Sequence, residues 1–243
     1  METLPEPVLK KIRESRRHPR PTQPDYLHLR RLLDDLSSAL GGLERGVTDV
    51  LDVYCGTRPY EDLLSSGARV IGLDVDNRFG AADVVSDEFL PFDDESFDLV
   101  MCIEAFYYVP DPERGVSEIR RVLRPGGAVV IAVPFVWEYD RTILEHRFTA
   151  PELEALFAGW DQVQVVEEGG RGVVWATLTG RLIHLRERAL PAALRTLAKP
   201  AFAVAYVLVN WLGSSMERGE RRRRDDPNRL PMNLMLTARR PPG

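Results

Sequence analysis

The sequence is poor in the residues that carry covalent chemistry, with two cysteines and four histidines among 243 residues. Cys55 and Cys102 are too few for a disulfide framework, and such a low count suits a reducing compartment. Residues 1–21 contain no apolar run, so the sequence predicts no secretory signal and favours a cytoplasmic protein. We predict no metal site.

Basic residues do not outnumber acidic ones, with 32 Lys and Arg against 37 Asp and Glu. The formal net charge is −5 and the isoelectric point lies near 5.5, which argues against a nucleic-acid partner. Hydrophobic residues at 44% and charged residues at 28% are ordinary for a globular protein. The length allows one α/β domain with a large core and an appendage.

The N-terminal part differs in composition from the rest of the chain. Residues 1–25 are charged and proline-rich without apolar periodicity, which predicts a loose extension. From Tyr26 onward leucines recur at helical spacing until Gly41-Gly42, where we expect the helix to end. We therefore separate an N-terminal extension and helix (residues 1–46) from a main domain (residues 47–240).

Strand and helix patterns alternate in the main domain. Short runs rich in Val, Ile and Leu predict strands at 48–53, 68–74, 97–103 and 127–134. Helical spacing predicts helices at 59–66, 112–124 and 150–158. Such alternation predicts a doubly wound α/β fold whose sheet is mostly parallel.

Acidic residues follow the predicted strands. Asp52 ends the first strand, Asp74 ends the second one 22 residues later, and Asp87-Glu88 precede the third. Ligands of such sheets bind outside the carboxyl ends of the strands. An acid at position 74 is well placed to accept hydrogen bonds from two ribose hydroxyls. The acidic strand ends together predict a cofactor that contains a nucleoside.

Three stretches of the chain carry a family resemblance: VLDVYCGT, VIGLDVDN and LPFDDESFDLVMCIEAFYYVPDPERGVSEIRRVLRPGGAVVIAVPF. Together they resemble the class I S-adenosylmethionine-dependent methyltransferases, in particular the small-molecule type called methyltransferase type 11. The resemblance runs from about Val47 to Phe135. It implies a Rossmann-like, seven-stranded sheet in which LPMNLMLTARRP forms an antiparallel final strand. It also implies methyl transfer from S-adenosyl-L-methionine to a small-molecule acceptor, on oxygen, nitrogen or carbon.

The resemblance also implies which residues bind the cofactor. Asp52 would face the methionine ammonium group, Gly56 would let the backbone approach, and Asp74 would hold the ribose. Asp87 would lie near the adenine and Cys102 on the pocket floor. The complete set implied for the cofactor is Asp52, Tyr54, Cys55, Gly56, Arg58, Asp74, Val75, Asp87, Glu88 and Cys102.

The first loop departs from the family pattern at two positions. Tyr54 replaces the first glycine, and a tyrosine at positive φ is costly. A similar DLYCG stretch in RNA uracil-5-methyltransferases makes Tyr54 compatible with a bound cofactor. Arg58 replaces a later glycine, and either it points to solvent or it donates to the carboxylate of the methionine moiety.

The acceptor side is less well defined by the sequence. Methyl transfer is an in-line displacement, so alignment supplies much of the acceleration, and a hydroxyl acceptor would also need a general base. His146 is our candidate base, with an exposed loop histidine as the alternative. Four aromatic residues either wall an acceptor pocket or pack in the core: Tyr107, Tyr108, Trp137 and Tyr139.

A helical insertion is predicted at about residues 173–229, before the final strand. Residues 200–216 carry no charge but are short for a membrane span. They form a buried lid, the interface of a homodimer, or a helix in the membrane interface that Trp211 and the following arginines anchor. In each case they could present a lipophilic acceptor, and the last would make the protein peripheral to a membrane.

Two other functions stay open. The fold could belong to a non-catalytic protein that binds S-adenosylmethionine or has a regulatory role. A nucleotide-dependent oxidoreductase is a weaker alternative, because the turn reads Tyr-Cys-Gly-Thr-Arg instead of G-x-G-x-x-G.

Overall fold

A computed structural model of the chain describes residues 3–43, 46–86, 89–221 and 230–242. The strands are β1 (Asp49–Val53), β2 (Arg69–Asp74), β3 (Val84–Val85), β4 (Phe97–Ile103), β5 (Leu123–Pro134), β6 (Asp161–Glu168) and β7 (Asn233–Arg239). The helices are α1 (Glu6–Arg17), α2 (Tyr26–Leu43), α3 (Pro112–Val122), α4 (Ala150–Leu156), α5 (Arg171–Ala189) and α6 (Ala192–Arg221).

The strands form one sheet in the order β3-β2-β1-β4-β5-β7-β6. Strands β1 to β5 pair in parallel, whereas β7 pairs antiparallel with both β5 and β6. The predicted mostly parallel, Rossmann-like sheet with an antiparallel final strand is therefore confirmed. From β1 the chain adds β2 and β3 on one side, and then crosses over to add β4 and β5 on the other side. Open α/β sheets bind ligands beside the point where the strand order switches in this way.

Helices cover both faces of the central strands. On one face Leu32, Leu36 and Leu40 of α2 pack on side chains of β1, β4 and β5. On the other face Ile119 and Val122 of α3 pack on the same strands. Burial on both faces explains why these strands are continuous apolar runs. Each large side chain buried in this way stabilises the fold by about 1.5–3 kcal/mol.

Most predicted boundaries agree with the structure to within a few residues. Two differ. The helix α2 continues through Gly41-Gly42 to Leu43, and β5 begins at Leu123, directly after α3. The edge strand β6 was not predicted, because its sequence DQVQVVEE is polar and most of its residues are exposed to solvent.

The prediction of a loose N-terminal extension was wrong, because residues 6–17 form α1. Leu9 of this helix is buried. Its cations bind the loop after β1: the Arg13 guanidinium donates to the Thr57 carbonyl at 2.6 Å and that of Arg17 to the Pro59 carbonyl at 2.8 Å. Contacts across more than forty positions leave no local pattern, which is why the sequence did not predict α1.

The predicted helix at 59–66 was also wrong, since the structure has only a 3₁₀ turn at Glu61–Leu63. In an α-helix the Pro59 carbonyl would accept a bond from the amide of Leu63. Here that carbonyl accepts from Arg17, and the Leu63 amide bonds to the carbonyl of Tyr60 at 3.0 Å. The bond from Arg17 of α1 to the Pro59 carbonyl thus replaces the first hydrogen bond that an α-helix would make here.

The predicted insertion is an antiparallel pair of helices, α5 and α6, which we call the helical hairpin. The helices cross at Gly172 and Gly213, where an added Cβ on Gly172 would lie 2.4 Å from the Gly213 carbonyl oxygen. An added Cβ on Gly180 would lie 2.3 Å from the Pro24 carbonyl oxygen. Only glycine permits these approaches, so the hairpin is packed tightly on itself and on the segment before α2.

Candidate active site

A cavity of about 1580 Å³ opens at the carboxyl ends of β1, β2 and β4. Typical pockets for one small ligand measure about 300–1,000 Å³, so this cavity has room for two ligands side by side. Tyr54, Gly56, Asp74 and Val75 line it near β1 and β2. Further lining residues at β4 and beyond are Glu104, Tyr107, Tyr108 and Trp137, together with His28 of α2.

The backbone turns sharply where the strands reach the cavity. Tyr54, Gly56 and Glu104 have φ angles of 54°, 54° and 60°, in the left-handed region. Glycine adopts this region freely, but tyrosine and glutamate do so at a cost of about 1–2 kcal/mol. The tertiary structure tolerates this strain at both strand ends, and both side chains line the cavity. Strain of this kind concentrates at functional sites.

Asp74 holds the loop that follows β1. Its Oδ2 accepts from the Gly56 amide at 2.9 Å and its Oδ1 accepts from the Val75 amide at 2.8 Å. A carboxylate has about four acceptor positions, so each oxygen keeps capacity for one further donor. The residue is only partly buried and lines the cavity. Asp74 is therefore able to accept bonds from two hydroxyls of a ligand.

Asp52, Cys55 and Cys102 lie behind the cavity surface rather than on its lining. Burial raises the pKa of Asp52 to about 7; the nearby Glu61 and Asp74 carboxylates add to this rise, and Arg58 opposes it. Burial, followed by the Asp52 and Asp74 charges, also raises the pKa of both thiols. Neither cysteine is thus a thiolate at neutral pH, and neither suits nucleophilic catalysis.

Arg58 faces the sheet edge, away from the cavity. Its guanidinium donates to Glu61 and Asp83, each at 2.6 Å, and to the carbonyls of Val70 and Ala81. The side chain is 12% exposed and fastens the loop after β1 to β2. Its contact with a cofactor carboxylate stays a prediction.

Asp87 and Glu88 lie outside the described residues. The next residues along the chain, Phe89 and Leu90, line the cavity, and the Phe89 ring lies 6.1 Å from that of Tyr54. Burial, then the neighbouring Cys102 and Asp74, raises the pKa of the Tyr54 phenol to about 12. The tyrosine in the place of the family glycine is therefore a neutral aromatic wall of the cavity.

The predicted acceptor residues separate into two groups. Tyr107, Tyr108 and Trp137 line the cavity, and the hydroxyls of the two tyrosines share a hydrogen bond of 2.7 Å. Tyr139 is exposed and does not belong to the lining. His146 lies on a separate shallow groove, with Nε2 3.4 Å from the Pro110 carbonyl oxygen. The base role of His146 stays a prediction.

A pair of titratable side chains in the cavity was not expected from the sequence. His28 Nε2 lies 3.4 Å from Oε2 of Glu104, and the imidazole stacks on the Trp137 ring with centroids 5.9 Å apart. His28 is 6% exposed and therefore buried at the cavity wall. Of the two residues, the sequence could have pointed to Glu104, because it directly follows an apolar strand. His28 lies 76 positions earlier, so no local pattern connects the two.

Polar groups behind Glu104 keep it in place. The Asn233 amide nitrogen donates to Oε1 of Glu104 at 2.9 Å, and the Glu104 backbone amide donates to the Ala132 carbonyl at 2.8 Å. Glu168, opposite Asn233 in the sheet, is 1% exposed. Burial, followed by the Glu104 charge, raises the pKa of Glu168 well above the usual range, and the Asn233 side chain opposes this rise. Glu104 is therefore held at the cavity wall by the sheet behind it.

Comparison with known families agrees with this geometry. Residues 51–131 match a family model described as a methyltransferase domain. This part of the chain is similar to the methyltransferase domains of class I S-adenosylmethionine-dependent methyltransferases. The match covers β1 to β5 of the methyltransferase domain, and so contains the loops that carry Tyr54, Asp74 and Glu104.

Two curated relatives resemble the same part of the chain. A sterol 24-C-methyltransferase of Gibberella zeae is 35% identical over 132 residues, which are 46% of this chain and 34% of that protein. A ubiquinone biosynthesis O-methyltransferase of Alkalilimnicola ehrlichii is 32% identical over 116 residues, which are 41% of this chain and 46% of that protein. The methyltransferase domain thus spans about a third to a half of the length of these relatives.

Solved structures share the fold over most of the chain. A (4+2)-cyclase aligns with a TM-score of 0.55 and 22% identity over 90% of this chain and 84% of its own. Phosphoethanolamine N-methyltransferase 2 of Haemonchus contortus, in complex with S-adenosyl-L-methionine, aligns with a TM-score of 0.50 and 18% identity over 86% of this chain and 52% of its own. At such identities the likeness concerns the fold alone, and the cyclase illustrates that one fold hosts several reactions.

Proposed function

We propose that the protein binds S-adenosylmethionine in the strand-end cavity and transfers its methyl group to a lipophilic small molecule. The observation that carries this proposal is the placement of Asp74 and of the aromatic residues beyond β4 in one cavity, which is large enough for cofactor and acceptor together. The similarity of residues 51–131 to a methyltransferase domain supports the cofactor. The acceptor and the atom that is methylated are part of the proposal.

The residues of the first loop fit the chemistry of this cofactor. Asp74 has free acceptor capacity for two ribose hydroxyls, and Gly56 leaves the loop backbone without a side chain at the cavity wall. Tyr54 and Phe89 offer aromatic faces to an adenine. Asp52, directly behind the loop, is a carboxyl that a nearby ammonium or sulfonium charge would ionise.

A lipophilic acceptor is supported from two sides. The cavity wall beyond β4 is aromatic, with Tyr107, Tyr108 and Trp137 presenting large faces and polar edges. The two curated relatives described above are named for sterol and ubiquinone chemistry, so each acts on an acceptor of lipid character. The acidic net charge gives no support to a nucleic-acid acceptor.

The proton of a hydroxyl or amine acceptor requires a base, and His28 is the best placed group. When bound, S-adenosylmethionine supplies an electrophilic methyl group. Glu104 faces Nε2 of His28, which favours the tautomer with a proton on Nε2 and a lone pair on Nδ1. Trp137 limits rotation of the ring by stacking on it. His28 therefore accepts the proton in this proposal, while Glu104 orients it and stabilises the imidazolium.

The hairpin is proposed to contact either a membrane or a second copy of the chain. No described residue of α6 lines the cavity, so the lid hypothesis receives no support from the site. The exposed apolar side chains of α6 leave the other two alternatives.

The proposal is tested first by calorimetric titration with S-adenosylhomocysteine. The absence of binding would refute the cofactor assignment. Transfer of radiolabel from S-adenosyl-[methyl-³H]methionine is then measured with a sterol, a prenylated catechol and a phospholipid amine as acceptors. Binding without transfer to any lipophilic or phenolic acceptor would favour the non-catalytic alternative instead.

A further inference from the structure

Helix α6 has the reverse of the usual amphipathic arrangement. Its polar side chains Tyr206, Asn210 and Glu217 face the domain and are 4%, 3% and 3% exposed. Their partners are the Glu187 carboxylate at 2.8 Å, the Pro21 and Gln23 carbonyls at 2.9 and 3.0 Å, and the Arg31 guanidinium at 3.0 Å. The polar face of this helix is therefore fastened to the protein.

The opposite face of α6 is apolar and open to solvent. We call its large side chains the α6 stripe; they recur at helical spacing, are 44–79% exposed, and comprise Leu197, Val204, Leu208, Trp211, Leu212 and Met216. At 1.5 Å per residue the stripe is about 28 Å long. No other described residue covers it. Soluble monomers rarely leave an apolar strip of this length in water.

The hydrogen bonds that α6 makes to the rest of the protein restrict its orientation relative to a membrane. By length and composition, Ala192–Glu220 could cross one, and it is the one such helix in the part of the chain that the structure describes. Crossing would strip Asn210 and Glu217 of their partners and place them in hydrocarbon, which is costly. A helix that lies flat keeps every inward bond and still buries the stripe. The geometry therefore favours an orientation parallel to a surface.

The charges around the stripe favour a lipid surface over a second copy of the chain. Arg195 and Lys199 lie at one end of the stripe and Arg218 lies at the other, and the only charge between Lys199 and Arg218 is the inward-facing Glu217. The adjoining end of α5 adds two exposed cations, Arg186 and Arg188. Pairing of two stripes in either direction would bring cations together, whereas anionic headgroups complement both ends at once.

We propose that α6 seats the protein on an anionic lipid surface. The α6 stripe enters the interface between headgroups and acyl chains, Trp211 lies at headgroup depth, and Arg195, Lys199 and Arg218 contact the lipid phosphates. This surface is separate from the cavity, so the proposal does not depend on methyl transfer. It also gives a route by which a lipophilic acceptor could reach the protein.

The test is flotation of the full chain with vesicles of phosphatidylcholine alone and of phosphatidylcholine mixed with phosphatidylglycerol. The parent protein should bind the anionic vesicles more tightly. Leu208→Asp combined with Trp211→Asp should lower binding at least about tenfold, because two charges then enter the interface. Arg195→Gln combined with Lys199→Gln should weaken binding to the anionic vesicles alone, by about fivefold for each cation.

A charge-matched control adds two carboxylates at exposed valines remote from α6, Val8→Asp and Val85→Asp, and should float as the parent does. Affinity for S-adenosylhomocysteine should stay within about twofold in the α6 variants, since the sites are distinct. If the Asp pair at 208 and 211 does not fold, Leu208→Ser with Trp211→Ser replaces it. The proposal is overturned if the parent fails to float with anionic vesicles, if the control loses binding equally, or if the parent is a dimer that the stripe variants dissociate.

Discussion

At the carboxyl ends of β1, β2 and β4, polar side chains from an apolar sheet line a cavity, whereas in α6 polar side chains face the protein and apolar ones face outward. Asp74 and Glu104 retain acceptor capacity toward the cavity. In α6 the Asn210 amide nitrogen donates to the Pro21 and Gln23 carbonyls before α2, and the Glu217 carboxylate accepts from Arg31 of α2. The first arrangement suits recognition of a polar ligand, and the second suits attachment to an apolar surface.

One chain thus places its hydrogen-bonding groups according to what each surface contacts. Charged groups keep free hydrogen-bonding positions where a polar ligand is proposed to bind. On the helix proposed to meet lipid, the polar groups bond to other parts of the protein instead. The two regions should then respond independently to mutation: cavity variants should spare vesicle binding, and hairpin variants should spare ligand affinity. The following predictions test this separation.

The largest effect is expected at His28. His28→Gln should lower kcat for a hydroxyl acceptor by about 10²–10⁴-fold, the range for losing a general base. Glu104→Gln should lower kcat in the same direction, because the imidazole loses its orienting charge. KM for S-adenosylmethionine should hardly change in either variant. His146→Gln is the matched control, and a larger loss of kcat in that variant would transfer the base role to His146.

Asp52 should make stability depend on pH. Because burial raises its pKa from 3.8 to about 7, the folded protein binds more protons than the unfolded chain between those values. The free energy of unfolding should therefore fall as pH rises from about 4 to 7, by at most about 1.4 kcal/mol per pH unit. Asp52→Asn should flatten this part of the profile in urea denaturation. An unchanged slope would show that Asp52 is ionised throughout.

Asp74 should dominate the affinity of the cofactor end of the cavity. Asp74→Ala should weaken S-adenosylhomocysteine binding by about 1.5–3 kcal/mol, which is about 10–100-fold. Asp74→Asn should weaken it less, because an amide oxygen still accepts from Gly56. Asp161→Ala, at the far edge of the sheet, is the control. Equal calorimetric affinity of the Asp74→Ala variant and the parent would remove Asp74 from the site.

The glycine crossing should control the hairpin. Gly172→Val places methyl groups against the Gly213 carbonyl, which belongs to the backbone and cannot rotate away. The free energy of unfolding should fall by about 1–3 kcal/mol. Gly219→Ala, with open space around its Cβ position, should instead stabilise α6 by about 0.5–1 kcal/mol. Chemical denaturation measures both, and a neutral Gly172→Val would contradict the close crossing.

The smallest effect is expected at Arg58. Arg58→Lys keeps the charge but loses the planar fork that reaches Glu61 and Asp83 together. The free energy of unfolding should fall by about 1 kcal/mol, the usual net value of a hydrogen bond. Calorimetry tests whether Arg58 also contacts the cofactor. Weaker S-adenosylhomocysteine binding by the variant would support a contact with the carboxylate of the methionine moiety. Equal binding would mean that Arg58 only holds the loop after β1 against β2.

Part of this protein was determined by the sequence alone. The strands at 48–53, 68–74 and 97–103 and the helix at 112–124 were predicted closely, because strand runs and helical spacing are local patterns. The candidate positions Asp74 and Tyr107 were proposed for a related reason, because Asp74 ends one recognisable strand and Tyr107 lies about one turn beyond another. The topology rules for parallel sheets then placed these strand ends at one edge.

Only the tertiary structure decided the rest. The helix α1, the 3₁₀ turn after β1 and the His28–Glu104 pair all depend on contacts between residues tens of positions apart. The direction in which α6 faces also depends on distant partners, Pro21 and Gln23, which bind Asn210. A sequence pattern shows that α6 has an apolar and a polar side. Which side is inward is decided by where the hydrogen-bonding groups of the rest of the chain lie.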